Sequence, residues 1–436
     1  MDGDPHPTRR YLFLQGLATR FFACLGVALA KRGHSVKRIN FTAGDRLFWE
    51  LSGSVAYRGT IAEWPWFFEA RLAEWRITDI VLFGDCRPLH AIAIGIAARR
   101  GVSVHVFDEG YLRPNWITME RQGANNNSLL PRDPDWYRQT ATFLPAWNGA
   151  PDVASSFRAR AIQDVVYHLW SLAFVWRYPG YRSYRPCHPV REGVGWLRRF
   201  VHTPILRQRN KAALEELAAS GKPYYVVPLQ LDSDSQIRIH SSFGHVAPAL
   251  SMILRSFARH APTDAVLVLK EHPLDSHLND WRALSLKEAA SLGFAHRLFY
   301  VTEAPLELLL RGSRGVVTVN STVGLLALSF GVPAVTLGKA IYDMPGLTFR
   351  NGLDRFWREA TAPDFALFDA FRRVVAYRTQ IYGGFFSASA LALAVAGTVE
   401  RLETAALEQA QPLILRRAAH ARLEAAEALM LEAPVV

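Results

Sequence analysis

The chain has 436 residues, of which 50% are hydrophobic and 20% are charged. This composition excludes a disordered, collagen-like or coiled-coil protein, and the length suits two α/β domains or one large domain. The formal net charge of +11 favours an anionic partner, which could be a nucleic acid, an anionic membrane or a phosphorylated substrate.

The start of the chain carries no pattern typical of a signal peptide. In MDGDPHPTRRYLFLQG, two aspartates precede the basic pair, and the apolar stretch YLFL is only four residues long. Three cysteines, Cys24, Cys86 and Cys187, are widely spaced and form no CxxC pair. This argues against a disulfide framework or a structural zinc site and favours a reducing compartment.

The first part of the chain alternates between apolar runs typical of strands and amphipathic stretches typical of helices. We expect a strand–helix order that implies a parallel, doubly wound sheet with sites at the carboxyl ends of its strands. The predicted strands are Arg10–Gln15, Ser35–Phe41, Asp79–Phe83 and Val102–Phe107, and the predicted helices are Phe21–Arg32 and Leu89–Arg100.

Between about residue 125 and residue 220, this alternation of strands and helices is interrupted by a segment rich in Trp and Arg. It is predicted to hold helices at Ala159–Trp176 and Leu206–Ser220. The stretch VVYHLWSLAFVW at Val165–Trp176 runs into RYPGYRSYRP, which suits either an interfacial membrane element or an amphipathic core helix with a basic end. We interpret the whole segment as a helical insertion.

The alternation returns after residue 220, which predicts a second Rossmann-like domain. We expect an N-terminal domain at 1–220 that includes the insertion, a C-terminal domain at 221–385, and a helical segment at 386–436. The predicted strands of the second domain are Tyr224–Leu229, Ala265–Leu269, Gly315–Val319 and Ala334–Leu337, and the predicted helices are His245–His260, Pro305–Gly312 and Val323–Phe330.

Two long uncharged runs do not suit a membrane-spanning helix. Gly315–Gly338 reads as strand, turn, helix and strand, and Thr379–Val399 is mostly small residues. We therefore expect a cytoplasmic protein, peripheral to a membrane.

An acidic pair follows the strand VHVF. Asp108 and Glu109 are followed by Gly110 and, three residues later, by Arg113. A carboxylate pair beside an arginine could supply a general acid, with the arginine orienting it or binding an anion. A capped turn has the same composition, so both interpretations stand.

A second acidic loop follows the strand YYVVPL. It contains Gln230, Asp232 and Asp234 within QLDSDSQ. The spacing resembles a calcium loop, but the later glycine and closing glutamate of such loops are missing. An active-site loop is the better interpretation.

Two further strand ends carry groups that suit a phosphate. Lys270 and His272 lie beside Pro273 after the strand AVLVL, although a charged turn would look similar. The run NST, which comprises Asn320, Ser321 and Thr322, stands where a strand passes into a helix. Ser321 and Thr322 can cap that helix, whose N-terminal amides attract anions, and ordinary capping would also explain them.

The chain has no GxGxxG, GxxxxGK[ST], GxSxG or HExxH motif. Dinucleotide-binding, P-loop, serine-hydrolase and zincin classes are thereby disfavoured. Two Rossmann-like domains, of which the second has a hydroxyl- and amide-rich helix start, are what a GT-B type glycosyltransferase needs. The predicted fold class is therefore α/β, with two doubly wound domains of GT-B type.

The motifs FLQG, DEGYLRP, VPLQLDSDSQI, HP and NSTVGLLAL, in this order, together resemble the capsule polysaccharide biosynthesis/export family of KpsS and LipB type. The likeness spans most of residues 10–350. It implies a retaining β-Kdo transferase that moves 3-deoxy-manno-octulosonic acid (Kdo) from CMP-Kdo to a phosphatidylglycerol-type lipid. This reaction would start the capsule linker at the inner face of the bacterial inner membrane. Implied partners are CMP-Kdo, the lipid acceptor, the membrane surface and other capsule synthesis and export proteins, with no nucleic acid.

The resemblance also implies roles for the residues of these motifs. His272 and Pro273 match the HP motif expected to hold the cytidylate phosphate, with Lys270 beside it. The resemblance makes Asp234 the nucleophile of a double displacement, with Asp232 as a competitor. The corresponding choice for the general acid is Glu109 or Asp108, because the order here is Asp-Glu-Gly where related enzymes tend to show Glu-Asp-Gly. The second nucleotide contact is Ser321 and Thr322, with Gln230, Asn320 and Arg113 as further binding residues.

No metal or cofactor is expected, because the leaving group is a nucleoside monophosphate. His and Lys side chains and helix amides can take the place of a divalent ion there. The alternative to an enzyme is a non-catalytic capsule export component that binds lipid-linked polysaccharide for the transporter. A nucleic-acid binder is suggested by the charge alone, without an RNP, KH or helix-turn-helix pattern.

Overall fold

A computed structural model describes residues 8–147, 149, 151–153, 156–183 and 189–407. These residues form two compact units. The first unit takes its described residues from the ranges 1–129, 146–184 and 375–436, and the second unit from 130–145 and 185–374.

The strands of the described ranges, in chain order, are β1 (Arg10–Phe13), β2 (Ser35–Asn40), β3 (Ser54–Ala56), β4 (Asp79–Phe83), β5 (Ser103–Glu109), β6 (Trp116–Arg121), β7 (Tyr224–Pro228), β8 (Val266–Lys270), β9 (Leu298–Val301), β10 (Gly315–Thr318), β11 (Ala334–Thr336) and β12 (Gln380–Tyr382).

The α-helices are α1 (Phe21–Lys31), α2 (Ala43–Leu47), α3 (Trp64–Glu74), α4 (Pro88–Arg100), α5 (Pro134–Ala141), α6 (Phe157–Ala173), α7 (Pro189–Ser220), α8 (Ser235–Arg238), α9 (Val246–His260), α10 (Trp281–Ser291), α11 (Leu306–Arg311), α12 (Thr322–Ser329), α13 (Leu353–Glu359), α14 (Phe365–Thr379) and α15 (Ala388–Leu407). Short 3-10 turns lie at Asn125–Asn127, Val175–Arg177 and Ala295–Arg297. None of the helices in this part of the chain has the length and apolar character needed to cross a bilayer.

The five parallel strands of each sheet follow the same strand order. In the first unit the order is β12-β6-β5-β4-β1-β2-β3, and in the second it is β11-β10-β7-β8-β9. The five strands β1 to β5 are parallel, as are β7 to β11, and each set has the 3-2-1-4-5 order of a doubly wound nucleotide-binding fold. The order reverses between β1 and β4 and between β7 and β10. Ligands of such folds bind outside the carboxyl ends of the strands at this reversal.

Apolar residues on alternate sides of each strand explain why helices cover both faces of these sheets. In β1, Tyr11 and Phe13 enter one core while Leu12 enters the other. In β8, Leu267 and Val268 divide in the same way between the two cores of the second unit. Strands buried on both faces read as continuous apolar runs, which is how the sequence predicts them.

This architecture confirms the predicted fold class: two Rossmann-like α/β units of the kind that make up GT-B proteins, with inserted helices and a helical C-terminal segment. The limits of the compact units differ from the predicted 220 and 385. Leu217 of α7 packs with Val226 in a core of the second unit, and Leu402 of α15 packs with Leu25 in the first. An apolar helix face joins the core that it fits, whatever its position in the chain. The expected helix beyond Leu407 lies outside the described residues.

Candidate functional site

The side chains of Gln230 and Asn320 meet at the strand-order reversal of the second unit. Gln230 follows β7 and Asn320 follows β10. The Gln230 Nε2 atom donates to Asn320 Oδ1 at 3.4 Å, and the Asn320 backbone N–H donates to Gln230 Oε1 at 3.3 Å. Asn320 Nδ2 also donates to the carbonyls of Gln236 and His240. Both amides are buried, so they hold the acidic loop against the end of β10.

The acidic loop holds its two aspartates in different ways. Asp234 caps α8, where its carboxylate accepts from Gln236 N at 2.9 Å. Asp232 lies at the start of α9, where one carboxylate oxygen accepts from Val246 N at 2.8 Å and the other lies 3.2 Å from His245 Nδ1. The structure thus gives Asp232 an orienting contact through each of its oxygens. Both side chains are partly exposed.

The NST run starts α12 as its sequence predicts. The Ser321 hydroxyl accepts from Val323 N at 3.2 Å, and Ser321 N donates to Thr318 Oγ1 at 3.1 Å. The Tyr342 hydroxyl fixes the turn by donating to the Ser321 carbonyl at 2.5 Å. This Tyr342 position requires Gly324, because a Cβ there would collide with the phenol oxygen. Thr322 is partly exposed at the first turn, where helix amides favour an anion.

The loop after β8 places its cation inside and its histidine at the surface. Lys270 is buried and its Nζ donates to the carbonyls of Glu271 and Thr302, each at 2.8 Å. Burial lowers the pKa of this lysine. The His272 Nδ1 atom accepts from Leu274 N at 3.0 Å, so the neutral ring carries its proton on Nε2. Lys270 therefore ties β8 to its neighbouring loop, while partly exposed His272 and exposed Pro273 form the outer turn.

A buried glutamate behind this turn was not among the residues predicted for the site. Glu271 accepts from the Tyr300 hydroxyl at 2.8 Å and lies 2.7 Å from His277 Nε2. The Arg199 guanidinium of α7 lies 3.7 Å from the same carboxylate and donates to the Asp275 carbonyl. The sequence feature that could have indicated this cluster is EHPLDSH, in which a second histidine follows the first by five residues. An acidic residue, Glu271 or Asp275, stands shortly before each histidine.

Carboxylates also cluster in the first unit, where Glu120 is buried and Asp108 is partly exposed. Asp108 accepts from Glu109 N at 2.8 Å and from Asn125 Nδ2 at 2.7 Å. Glu120 accepts from the Tyr111 hydroxyl at 2.6 Å. Burial raises the pKa of Asp108 to about 7 and that of Glu120 to about 7, and nearby Asp85 adds to both shifts. Carboxyls of this kind exchange protons near neutral pH.

Asp108 and Glu109 lie on opposite faces of the first sheet. Successive strand residues alternate, so Asp108 follows Val106 and Glu109 follows Phe107, which belong to different cores. Glu109 is paired with Arg160 of α6 at 3.0 Å. The structure therefore separates the two candidate acids into different surroundings.

The turn that follows these carboxylates places Arg113 at the surface. Gly110 is required because a Cβ there would collide with the Trp116 carbonyl. Exposed Arg113 donates from Nε to the Gly110 carbonyl at 3.2 Å. The guanidinium is thus held beside the turn rather than in the sheet.

The Trp-rich insertion docks α6 through one face. The Tyr167 hydroxyl donates to Asp45 Oδ1 at 2.9 Å, and Gln15 of the FLQG motif donates to Tyr167 at 3.1 Å. Ser171 accepts from Gly44 N at 3.1 Å. The opposite side of the insertion exposes a set of large apolar residues: Ile162, Val165, Val166, Leu169, Trp170, Leu172, Val175 and Trp176. One face of the segment is therefore packed and the other exposed, and the interfacial interpretation stays a prediction.

Comparisons of the sequence with known proteins identify the family of this chain. The model of the family described as capsule polysaccharide biosynthesis protein matches residues 78–386. The capsule polysaccharide export protein KpsS of Escherichia coli is 34% identical over 378 residues, which are 86% of this chain and 96% of that protein. The capsule polysaccharide modification protein LipB of Neisseria meningitidis serogroup A is 35% identical over 390 residues, 86% of this chain and 91% of that protein. The chain belongs to the capsule polysaccharide biosynthesis family, as its motifs indicated.

Among solved structures, the β-Kdo 2,7 transferase KpsC of Thermosulfurimonas dismutans matches with a TM-score of 0.41 and 15% identity. The match covers 86% of this chain and 93% of that chain.

Proposed function

We propose that this protein is a retaining β-Kdo transferase that moves Kdo from CMP-Kdo to a phosphatidylglycerol-type lipid, which starts the capsule linker. The observation that carries the proposal is the carboxylate loop held by Gln230 and Asn320 at the strand-order reversal, beside the capped start of α12. Family membership supplies the capsule context.

The nucleotide lies at the carboxyl edge of the second sheet. Ser321, Thr322 and the first amides of α12 face the cytidylate phosphate, and the His272 Nε2–H donates to it. These donors stabilise a leaving nucleoside monophosphate without a metal or other cofactor. Lys270 contributes positive potential from inside the sheet rather than a direct contact, because its ammonium already donates to two carbonyls.

Two displacements keep the anomeric configuration. The Asp234 carboxylate attacks the ketosidic carbon of Kdo as the bond to the CMP oxygen breaks, and CMP leaves with that electron pair. The acceptor hydroxyl then attacks the same carbon, and the bond to Asp234 breaks. Asp232 holds the loop through α9 and is the second candidate for this role.

Glu109 and Asp108, the candidates for the general acid, are proposed to assist the acceptor hydroxyl by exchanging its proton in the second displacement. Asp108 has the pKa suited to this exchange at neutral pH, and Glu109 is the other candidate. Arg113 is proposed as a contact for an anionic group of the acceptor.

The protein works at the inner face of the inner membrane as a peripheral protein. The support is its charge of +11 and the exposed apolar side of the insertion that contains Val165–Trp176. Its proposed protein partners are other capsule synthesis and export proteins.

The test is purified protein incubated with CMP-Kdo and a fluorescent phosphatidylglycerol-like acceptor. We expect the acceptor to gain the mass of Kdo, and Asp234→Asn to show no gain. Acceptor binding without any gain in mass would favour the non-catalytic export component instead.

A further inference from the structure

Within the described residues, the helix α7 packs against the rest of the second unit through one side. Gly195 allows it to approach the loop after β8, because a Cβ there would collide with the Ser276 carbonyl. One turn later, Arg199 donates to the Asp275 carbonyl. Further along, buried Asn210 accepts from the backbone N–H groups of Thr302 and Glu303. Gly195, Arg199 and Asn210 therefore mark the inner side of the helix.

The opposite side of α7 carries an exposed apolar surface. At about 100° per residue, the positions of Val194, Leu197, Val201 and Ile205 fall on one stripe that points away from Gly195 and Arg199, with Phe200 beside it. Leu197 is 68% exposed, Phe200 78% and Val201 69%. We call these five residues the α7 stripe. Nothing in the described part of the chain buries it.

Exposed arginines border the α7 stripe. Residues 189–211 contain five arginines and one lysine against a single acidic residue, Glu192, and of these arginines Arg199 faces the inner side. Arg191, Arg207 and Arg209 are exposed, and Arg207 lies 3.8 Å from the carboxylate of Glu303 at the surface. An apolar helix face bordered by arginines matches the boundary between anionic headgroups and acyl chains, where both kinds of side chain are satisfied at once. A folded protein partner would need an acidic rim around an apolar groove to do the same.

We propose that the α7 stripe is a docking surface for an anionic membrane. The inner side of the same helix contacts the loop that carries His272, so docking places this loop about one helix diameter, ~10 Å, from the headgroups. Only the link between this placement and a lipid acceptor rests on the proposed function, since the membrane contact follows from the helix itself.

The test is flotation of the full chain with vesicles of phosphatidylcholine alone or mixed with phosphatidylglycerol. We expect binding to the mixed vesicles only, and release as salt rises. Leu197→Gln/Val201→Gln should lower partitioning by about tenfold or more, because the stripe loses apolar contact. Arg207→Gln/Arg209→Gln should lower it by about fivefold for each arginine removed.

Leu308→Gln is the matched control, because Leu308 of α11 is 69% exposed in the same unit. It should bind vesicles as wild type does. Wild-type binding by both α7 variants would overturn the proposal and assign any membrane contact to another surface, such as the insertion. A dimer in light scattering that both variants dissociate would also overturn it, since the stripe would then cover a second copy.

Kdo transfer to a short-chain acceptor in free solution separates this proposal from the proposed function. If Kdo transfer persists and the α7 variants bind vesicles as wild type does, the docking surface is rejected and the proposed function stands. Vesicle binding that depends on α7 without any transfer supports the docking surface and rejects the enzyme.

Discussion

Gln230 and Asn320 exchange two hydrogen bonds across the strand-order reversal of the second unit, 90 residues apart in the chain. Asn320 extends the link to the carbonyls of Gln236 and His240, on the far side of the acidic loop. The position of Asp234 thus depends on an amide pair behind it. A loop held in this way keeps its carboxylate in place without contacts from the substrate.

Replacing Asn320 should loosen this loop. Asn320→Ala leaves the buried carbonyl of His240 without its Nδ2 donor, so we expect a loss of about 1–3 kcal/mol in the free energy of unfolding. Urea denaturation measures it. Asn279→Ala is the control because Asn279 is exposed, and it should change stability by less than about 0.5 kcal/mol. Equal losses of unfolding free energy in the two variants would show that Asn320 does not hold the acidic loop in place.

Replacing His272 should weaken nucleotide binding. The Nδ1 contact with Leu274 N leaves Nε2 as the donor, and removal of a charge-assisted contact of about 1.5–3 kcal/mol lowers CMP affinity by about ten- to a hundredfold. Calorimetric titration with CMP measures the change. His296→Ala, at an exposed histidine of the same unit, should bind CMP as wild type does. Unchanged affinity in His272→Ala would remove this residue from the nucleotide site.

The raised pKa of Asp108 predicts a pH-dependent stability. The folded state holds this proton up to about pH 7, whereas the unfolded chain releases it near 3.9, so the Asp108 contribution to stability falls as pH rises between those values. Asp108→Asn has no such dependence. The free energy of unfolding of the variant should therefore rise relative to that of wild type by about 2–3 kcal/mol between pH 5 and pH 8. Urea denaturation at both pH values measures this, and a constant difference would contradict the raised pKa.

Replacing Gly44 should displace α6. A Cβ there would lie 2.5 Å from Ser171 Oγ and 2.6 Å from the Tyr167 ring, so Gly44→Ala should cost about 1–3 kcal/mol. Proteolysis within α6 should also become faster. Gly95→Ala in α4 meets nothing within 4 Å and should stabilise the protein by about 0.5–1 kcal/mol. Similar behaviour of the two variants would show that α6 does not depend on this close approach.

Much of the fold could be predicted from the sequence because parallel strands buried on both faces are continuous apolar runs. DIVLF was predicted in this way with the bounds of β4, and AVLVL at Ala265–Leu269 was predicted one residue before β8. The strand β6, WITMER, mixes charged and apolar residues, and β12 has only three residues, so neither has a distinct pattern. The unit boundaries depend on which core the helices α7 and α15 join, which is a tertiary choice that local periodicity does not contain.

The loops that form the site could be predicted from the sequence, but the position of each side chain within them could not. Strand ends predicted the positions of Asp234, His272 and Ser321 at the edge of the second sheet. The inward position of Lys270 could not be predicted, because it depends on carbonyl acceptors supplied by a neighbouring strand end. The roles of the predicted residues stay predictions.

The most direct test of the central claim is a comparison of Asp234→Asn with Asp232→Asn, with Kdo transfer, CMP affinity and intact protein mass measured together. Asp234→Asn removes the nucleophilic charge but keeps the size of the cap on α8, so we expect transfer to be abolished while CMP affinity stays near wild type. Asp232→Asn should be milder, and a Kdo adduct should form on wild type but not on Asp234→Asn. Wild-type turnover in Asp234→Asn would contradict the assignment. If Asp232→Asn were inactive in the same experiment, the nucleophile would be Asp232, two residues earlier. Full activity in both variants would rule out double displacement at this loop.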